Sequence, residues 1–108
     1  MPKITILNSG DVETQVIVSN KMGLHARPAA LLAQTAQGFE AGIRLRAGEQ
    51  DVDAKSILDV LSLAAGSGTI LTVRASGPDA GDAARSVARL IMSQFREERE
   101  GALTGDAL

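Results

Sequence analysis

The run Gly23-Leu24-His25-Ala26-Arg27-Pro28-Ala29 concentrates the chemistry of this chain and holds its only histidine. An imidazole with one free ring nitrogen can attack an electrophile near neutral pH. Arg27 follows in what would be the first turn of a helix, where its guanidinium is suited to neutralising phosphate oxygens. Pro28 fits that same turn, because a missing N–H there breaks no intrahelical bond. A helix is therefore expected to begin at or just after His25, with its first amides pointing back at the imidazole. The positive end of the helix dipole favours the uncharged ring, and the same amides suit an added phosphoryl group. On spacing alone such a histidine is more often a surface cap or a loop filler, beside a solvated arginine and a proline that only starts a helix.

The elements that must hold this run read as follows. Lys3 to Leu7 alternates loosely and suits a short strand, and Asn8-Ser9-Gly10-Asp11 is a turn. Residues 12–19 are rich in β-branched side chains with period-2 stretches and read as a strand. Ala26 to Gln37 is Ala- and Leu-rich, with Gly38 as the stop. Ala41 to Ala47 is a strand with Ile43 and Leu45 on one face and Arg44 and Arg46 on the other, and Gly48-Glu49 turns it into Gln50–Asp53. Ser56 opens a helix expected to run to about Ala65, before Gly66-Ser67-Gly68. A strand over 69–76 and a final helix from about Ala80 to Arg96 complete the order β-α-β-β-α-β-α. That order predicts an α+β two-layer sandwich, one sheet covered on one face by helices.

Bulk composition narrows the function. With 108 residues and a net charge of −2, the chain suits one domain with a small core. A mildly acidic chain with two Phe as its only aromatics lacks the basic stripe and stacking platform of a nucleic-acid binder. The absence of cysteine excludes disulfides and thiolate chemistry, and one histidine with scattered carboxylates gives no metal-ligand spacing. No apolar run is long enough for membrane insertion and no secretory leader is visible, so a cytoplasmic protein is expected.

The run at His25 resembles the active-site motif of the HPr family, the histidine-containing phosphocarriers of the bacterial phosphoenolpyruvate:sugar phosphotransferase system. Ala54-Lys55-Ser56-Ile57-Leu58 with Leu61-Ser62-Leu63 resembles that family's second signature, around a regulatory serine, and Val73-Arg74-Ala75-Ser76-Gly77-Pro78-Asp79 resembles its last strand and turn. The resemblance implies an open-faced β-sandwich: a four-stranded antiparallel sheet with three helices on one face. It implies that His25 is phosphorylated on Nδ1 by Enzyme I and passes the group to IIA domains of sugar permeases. Arg27 would assist, with the amides of Ala26 and Arg27 holding the phosphate. The chain would be a carrier with a transient phosphohistidine, needing no cofactor and no metal. A nitrogen-type relative that controls target proteins rather than sugar uptake would use the same histidine. The family-like domain spans 12–96, leaving 1–11 as an N-terminal extension and 97–108 as a flexible C-terminal tail.

The second helix carries its own expectation. Ile57, Leu58, Val60, Leu61, Leu63 and Ala64 are too many apolar residues for one inward face. Val60, Leu63 and Ala64 suit the core, leaving Ile57, Leu58 and Leu61 as an exposed patch of the kind that docks partners. The resemblance implies that this patch, with Lys55 as a positive neighbour, meets Enzyme I and IIA domains. Ser56 suits an N-cap worth ~1 kcal/mol. The resemblance adds regulatory phosphorylation by an HPr kinase, which would set negative charge beside the patch. Gln34 and Gln37 replace lysines found in some relatives, and Asp59 adds an acid to the second helix.

Overall fold

The computed structural model of the chain describes residues 3–95. Eight elements follow one another: β1 (Thr5–Ile6), β2 (Val12–Ile17), α1 (Ala26–Gln37), β3 (Gly42–Ala47), β4 (Gln50–Asp53), α2 (Ile57–Ser62), β5 (Ile70–Ser76) and α3 (Ala80–Met92). The strands form one antiparallel sheet in the order β1-β2-β5-β3-β4. Four of them make up the expected four-stranded sheet. The fifth, β1, lies within Lys3–Leu7, the stretch that suits a short strand, and joins the sheet as a two-residue edge, with Thr5 opposite Glu13 and Ile6 opposite Val12. The Asn8–Gly10 turn brings it back, closed by the Leu7 N–H on the Asp11 carbonyl at 2.8 Å.

Alternation decides which sheet face is covered. Val12, Thr14 and Val16 of β2, Ile43 and Leu45 of β3, and Leu71, Val73 and Ala75 of β5 are all buried beneath the helices. Glu13, Gln15, Arg44, Arg46 and Arg74 belong to the other face, which no described helix covers. There Arg74 reaches Asp11 at 2.9 Å and Arg44 reaches Asp51 at 2.9 Å. These opposite pulls separate two guanidinium groups that the register places directly across from one another.

Helix α3 lies over β2, β5 and β3 and buries Ala80, Ala83, Ala84, Val87, Ala88, Leu90 and Ile91. Small side chains on this face let the helix approach the sheet, and Phe95, just beyond it, closes the core. Helix α1 packs against α2 and α3 through Pro28, Ala29, Leu32, Ala33 and Ala36. No helix among the described residues is long and apolar enough to cross a membrane.

Two helix ends differ from expectation. α2 stops at Ser62 rather than near Ala65, and Ala64, expected inward, is exposed with φ +50°. Leu63 and Ala65 are both buried, and a continuing helix would set them 200° apart, so the chain leaves the helix to bury both. α3 ends at Met92, with Gln94 and Phe95 at positive φ returning the Phe95 ring to the core. Arg96, the expected end of that helix, and the tail 97–108 lie outside the described residues, as do residues 1–2 of the expected N-terminal extension.

Candidate functional site

The candidate site is the junction between β2 and α1. β2 runs out at Ile17, and Val18 pins the exit by exchanging backbone hydrogen bonds with Thr69 and Gly68. The turn from Asn20 to Gly23 closes with the Gly23 N–H on the Asn20 carbonyl at 3.1 Å. Gly23 then takes φ +67°, a conformation that favours glycine. A side chain there would also collide with the Ala65 carbonyl and the Gly66 backbone. Leu24, buried next to it, donates its N–H to Ala65 O at 2.9 Å. The loop before His25 is thus pressed against the exit of α2 with no room between them.

His25 is the N-cap of α1, with extended backbone (φ −78°, ψ −171°) and an exposed side chain. Its carbonyl accepts the first bond of the helix, from the Ala29 N–H at 2.9 Å. Its side chain makes no capping bond, and the first turn carries no acidic residue. Ala26 and Arg27 precede the first intrahelical bond, and Pro28 has no N–H to satisfy. The contrast with α2 is chemical. There Ser56 Oγ accepts the Asp59 N–H at 3.2 Å, so a neutral hydroxyl caps the helix. α1 presents its positive end to solvent beside an imidazole.

Ala26 and Arg27 are exposed on the same first turn as His25, so the three residues expected to hold a phosphate share one surface. Buried Pro28 anchors that turn from below. The arrangement offers a nucleophile, a guanidinium and helix-end amides on one accessible corner, and an anion on the ring would be stabilised there without entering the core.

Ser56 is half-buried at the start of α2. The capping box is half made: the Asp59 carboxylate reaches back not to Ser56 but to the Asp53 N–H at 3.2 Å. Among the apolar candidates, Leu58 is 78% exposed and Ile57 40%. Leu61, expected to face solvent, instead packs partly against the core, because it lies in the last turn, where the chain bends inward toward Leu63. Lys55 also differs from a free positive neighbour. Its ammonium donates to the Phe39 carbonyl at 2.8 Å, where the negative end of α1 holds it. Gln37 reinforces this strap by donating to the Lys55 carbonyl at 2.8 Å. The loop Asn20-Lys21-Met22-Gly23, read from the sequence only as a connection, holds two residues not singled out there. Met22 is an exposed apolar side chain on the histidine loop, and Asn20 shapes that loop. An Asn opening a turn that ends in glycine was the available signal for the second.

Known proteins resemble this chain in sequence and fold. Residues 12–93 match the family model described as the PTS HPr component phosphorylation site. The phosphocarrier protein HPr of Xylella fastidiosa (strain 9a5c) is 40% identical over 87 residues, covering 81% of this chain and 98% of that protein. The phosphocarrier protein NPr of Shewanella violacea is 40% identical over 86 residues, covering 80% of this chain and 94% of that protein. The crystal structure of a phosphocarrier protein HPr from Bacillus anthracis superposes with a TM-score of 0.73 at 42% identity, covering 75% of this chain and 96% of that one.

Proposed function

Because this chain belongs to the HPr family, the phosphocarriers of the phosphotransferase system, which carry rather than catalyse, we propose that His25 is the residue that takes and yields the phosphoryl group. The observation that carries this reading is an exposed imidazole at the open end of α1 with no capping duty of its own. Phospho-Enzyme I is the donor. The Nδ1 lone pair of His25 attacks phosphorus, the new N–P bond forms, and the bond to the donor breaks with its electron pair returning to Enzyme I. The dianionic group then lies against the amides of Ala26 and Arg27 and the Arg27 guanidinium. A nucleophile of a IIA domain repeats the displacement in the other direction, and His25 leaves as a neutral ring. Ile57 and Leu58, with the exposed edge of Leu61, supply the apolar contact for both partners, and Lys55 holds the start of that helix in place. Ser56 is the candidate regulatory position for an HPr kinase. Each step takes place between proteins of the cytoplasm.

The test is incubation with phosphoenolpyruvate and purified Enzyme I. The expected product carries one phosphoryl group, is labile to acid and does not form with His25→Ala. A phosphorylated His25→Ala protein would overturn the assignment.

The similarity to an NPr supports a second reading, in which the same histidine serves regulatory rather than sugar-uptake partners. Transfer from the loaded carrier to sugar IIA domains supports the first reading. Transfer to none of them, with transfer to a nitrogen-type IIA domain, supports the second.

A further inference from the structure

The Gly23 carbonyl carries two donors. Asn20 Nδ2 donates to it at 2.7 Å, and the His25 N–H donates to it at 3.0 Å. We infer that Asn20 is a positioning residue for phosphoryl transfer, fixing the His25 main chain through the shared Gly23 carbonyl. This rests on the reading of His25 as the phosphoryl acceptor.

A turn residue does not need this arrangement. An Asn that only opens a turn uses its side-chain oxygen to accept a nearby backbone N–H. Here the side chain donates instead, and its Oδ1 is left buried without a hydrogen-bond partner among the described residues. An unsatisfied buried acceptor opposes folding, and such groups persist where the surrounding structure requires them. What the arrangement secures is the orientation of one carbonyl. That carbonyl sets the His25 N–H, and His25 in turn supplies the oxygen that accepts the first bond of α1. The imidazole leaves the chain at the only residue in this relay whose side chain is exposed and reactive. Gly23 sits close beside the exit of α2: the next residue, Leu24, donates to the Ala65 carbonyl, and a Cβ on Gly23 would overlap that same carbonyl. Asn20 therefore acts on the direction in which the ring meets phosphorus, and not on affinity for the partner.

Three variants separate this from simple stabilisation. Asn20→Ala removes the donor. Asn20→Asp keeps the shape but offers no proton at pH 7, and Asn20→Ser restores a short donor. Single-turnover transfer from phospho-Enzyme I is expected to slow by about ten- to a hundredfold in the Ala and Asp variants, with partial recovery in the Ser variant. The carrier concentration giving half-maximal rate should stay near that of the parent protein. The His25 imidazole resonances should shift in the Ala and Asp variants while the remaining amide spectrum is retained. Parent-like single-turnover rates in folded Asn20→Ala and Asn20→Asp would overturn the inference, as would a loss accounted for by a higher half-maximal concentration alone. These results leave the assignment of His25 standing, since that assignment fails only if His25→Ala is still labelled or the parent protein is not. If Asn20→Ala does not fold, Asn20→Asp and Asn20→Ser carry the comparison.

Discussion

The Asp79 carboxylate accepts the Ala41 N–H at 2.8 Å, and its second oxygen takes the Glu40 N–H at 2.9 Å. A residue at the N-cap of α3 therefore caps the entry to β3 and makes no side-chain cap to its own helix. Gly77 allows the close approach: at φ +129°, a Cβ there would sit 3.1 Å from the Ala41 Cα.

These bonds hold the Asp79 carboxyl below the ordinary carboxylate range, with the Glu40 amide as the largest cause. A lowered native value stabilises the fold above the unfolded pKa of about 3.9, and that contribution fades as pH falls through the native value. Urea midpoints measured from pH 6 down to pH 2 should therefore fall on acidification. Asp79→Asn should start lower at neutral pH and lose part of that slope. Parallel profiles for the two proteins would refute the linkage.

Gly23→Ala and Gly48→Ala form a matched pair. Both glycines have positive φ, +67° and +60°, but only Gly23 has backbone where a Cβ would go. Gly48→Ala should cost ~1–2 kcal/mol, the left-handed penalty. Gly23→Ala should cost more, read as a lower urea midpoint, and should slow labelling by Enzyme I. Equal losses would show that the contact with Ala65 is loose.

Leu58 and Leu61 should separate docking from packing. Leu58→Ala removes a side chain that is mostly in water, so stability should change by less than ~0.5 kcal/mol. Its affinity for Enzyme I should drop by ~1–2 kcal/mol, roughly five- to thirtyfold, measured by titration calorimetry. Leu61→Ala should instead destabilise the fold by ~1 kcal/mol and disturb binding less.

Ser56 carries a cap whose energy and charge can be pulled apart. Ser56→Ala should cost ~1 kcal/mol of stability by leaving the Asp59 amide without its acceptor. Ser56→Asp keeps an acceptor for that amide and adds a negative charge at the helix start. Its stability should stay near that of the parent protein while transfer from Enzyme I slows. Unslowed transfer would remove Ser56 from the list of control points.

Local signals in the sequence located α1 and the β3–β4 hairpin closely. Pro28 and Gly38 bracket the helix, and Gly48-Glu49 sets the two-residue loop that places Ala47 opposite Gln50. Even so, Gly38 ends α1 with φ −73°, without using its left-handed freedom. Signals that depend on distant chain were not legible. Leu63-Ala64-Ala65 are good helix formers, yet the need to bury Leu63 and Ala65 and to offer the Ala65 carbonyl to Leu24 breaks α2 early. The site shows the same division. His25, Ala26 and Arg27 share a turn by spacing alone, whereas the tether of Lys55 to Phe39 joins residues 16 apart in sequence.

The bond from Leu24 to Ala65 ties the backbone just before His25 to the segment that leaves α2. Under the proposed function, a protein that docks on Leu58 and also reaches His25 must span this junction. Donor and acceptor would then share one footprint, and loading and unloading would alternate in a ping-pong cycle.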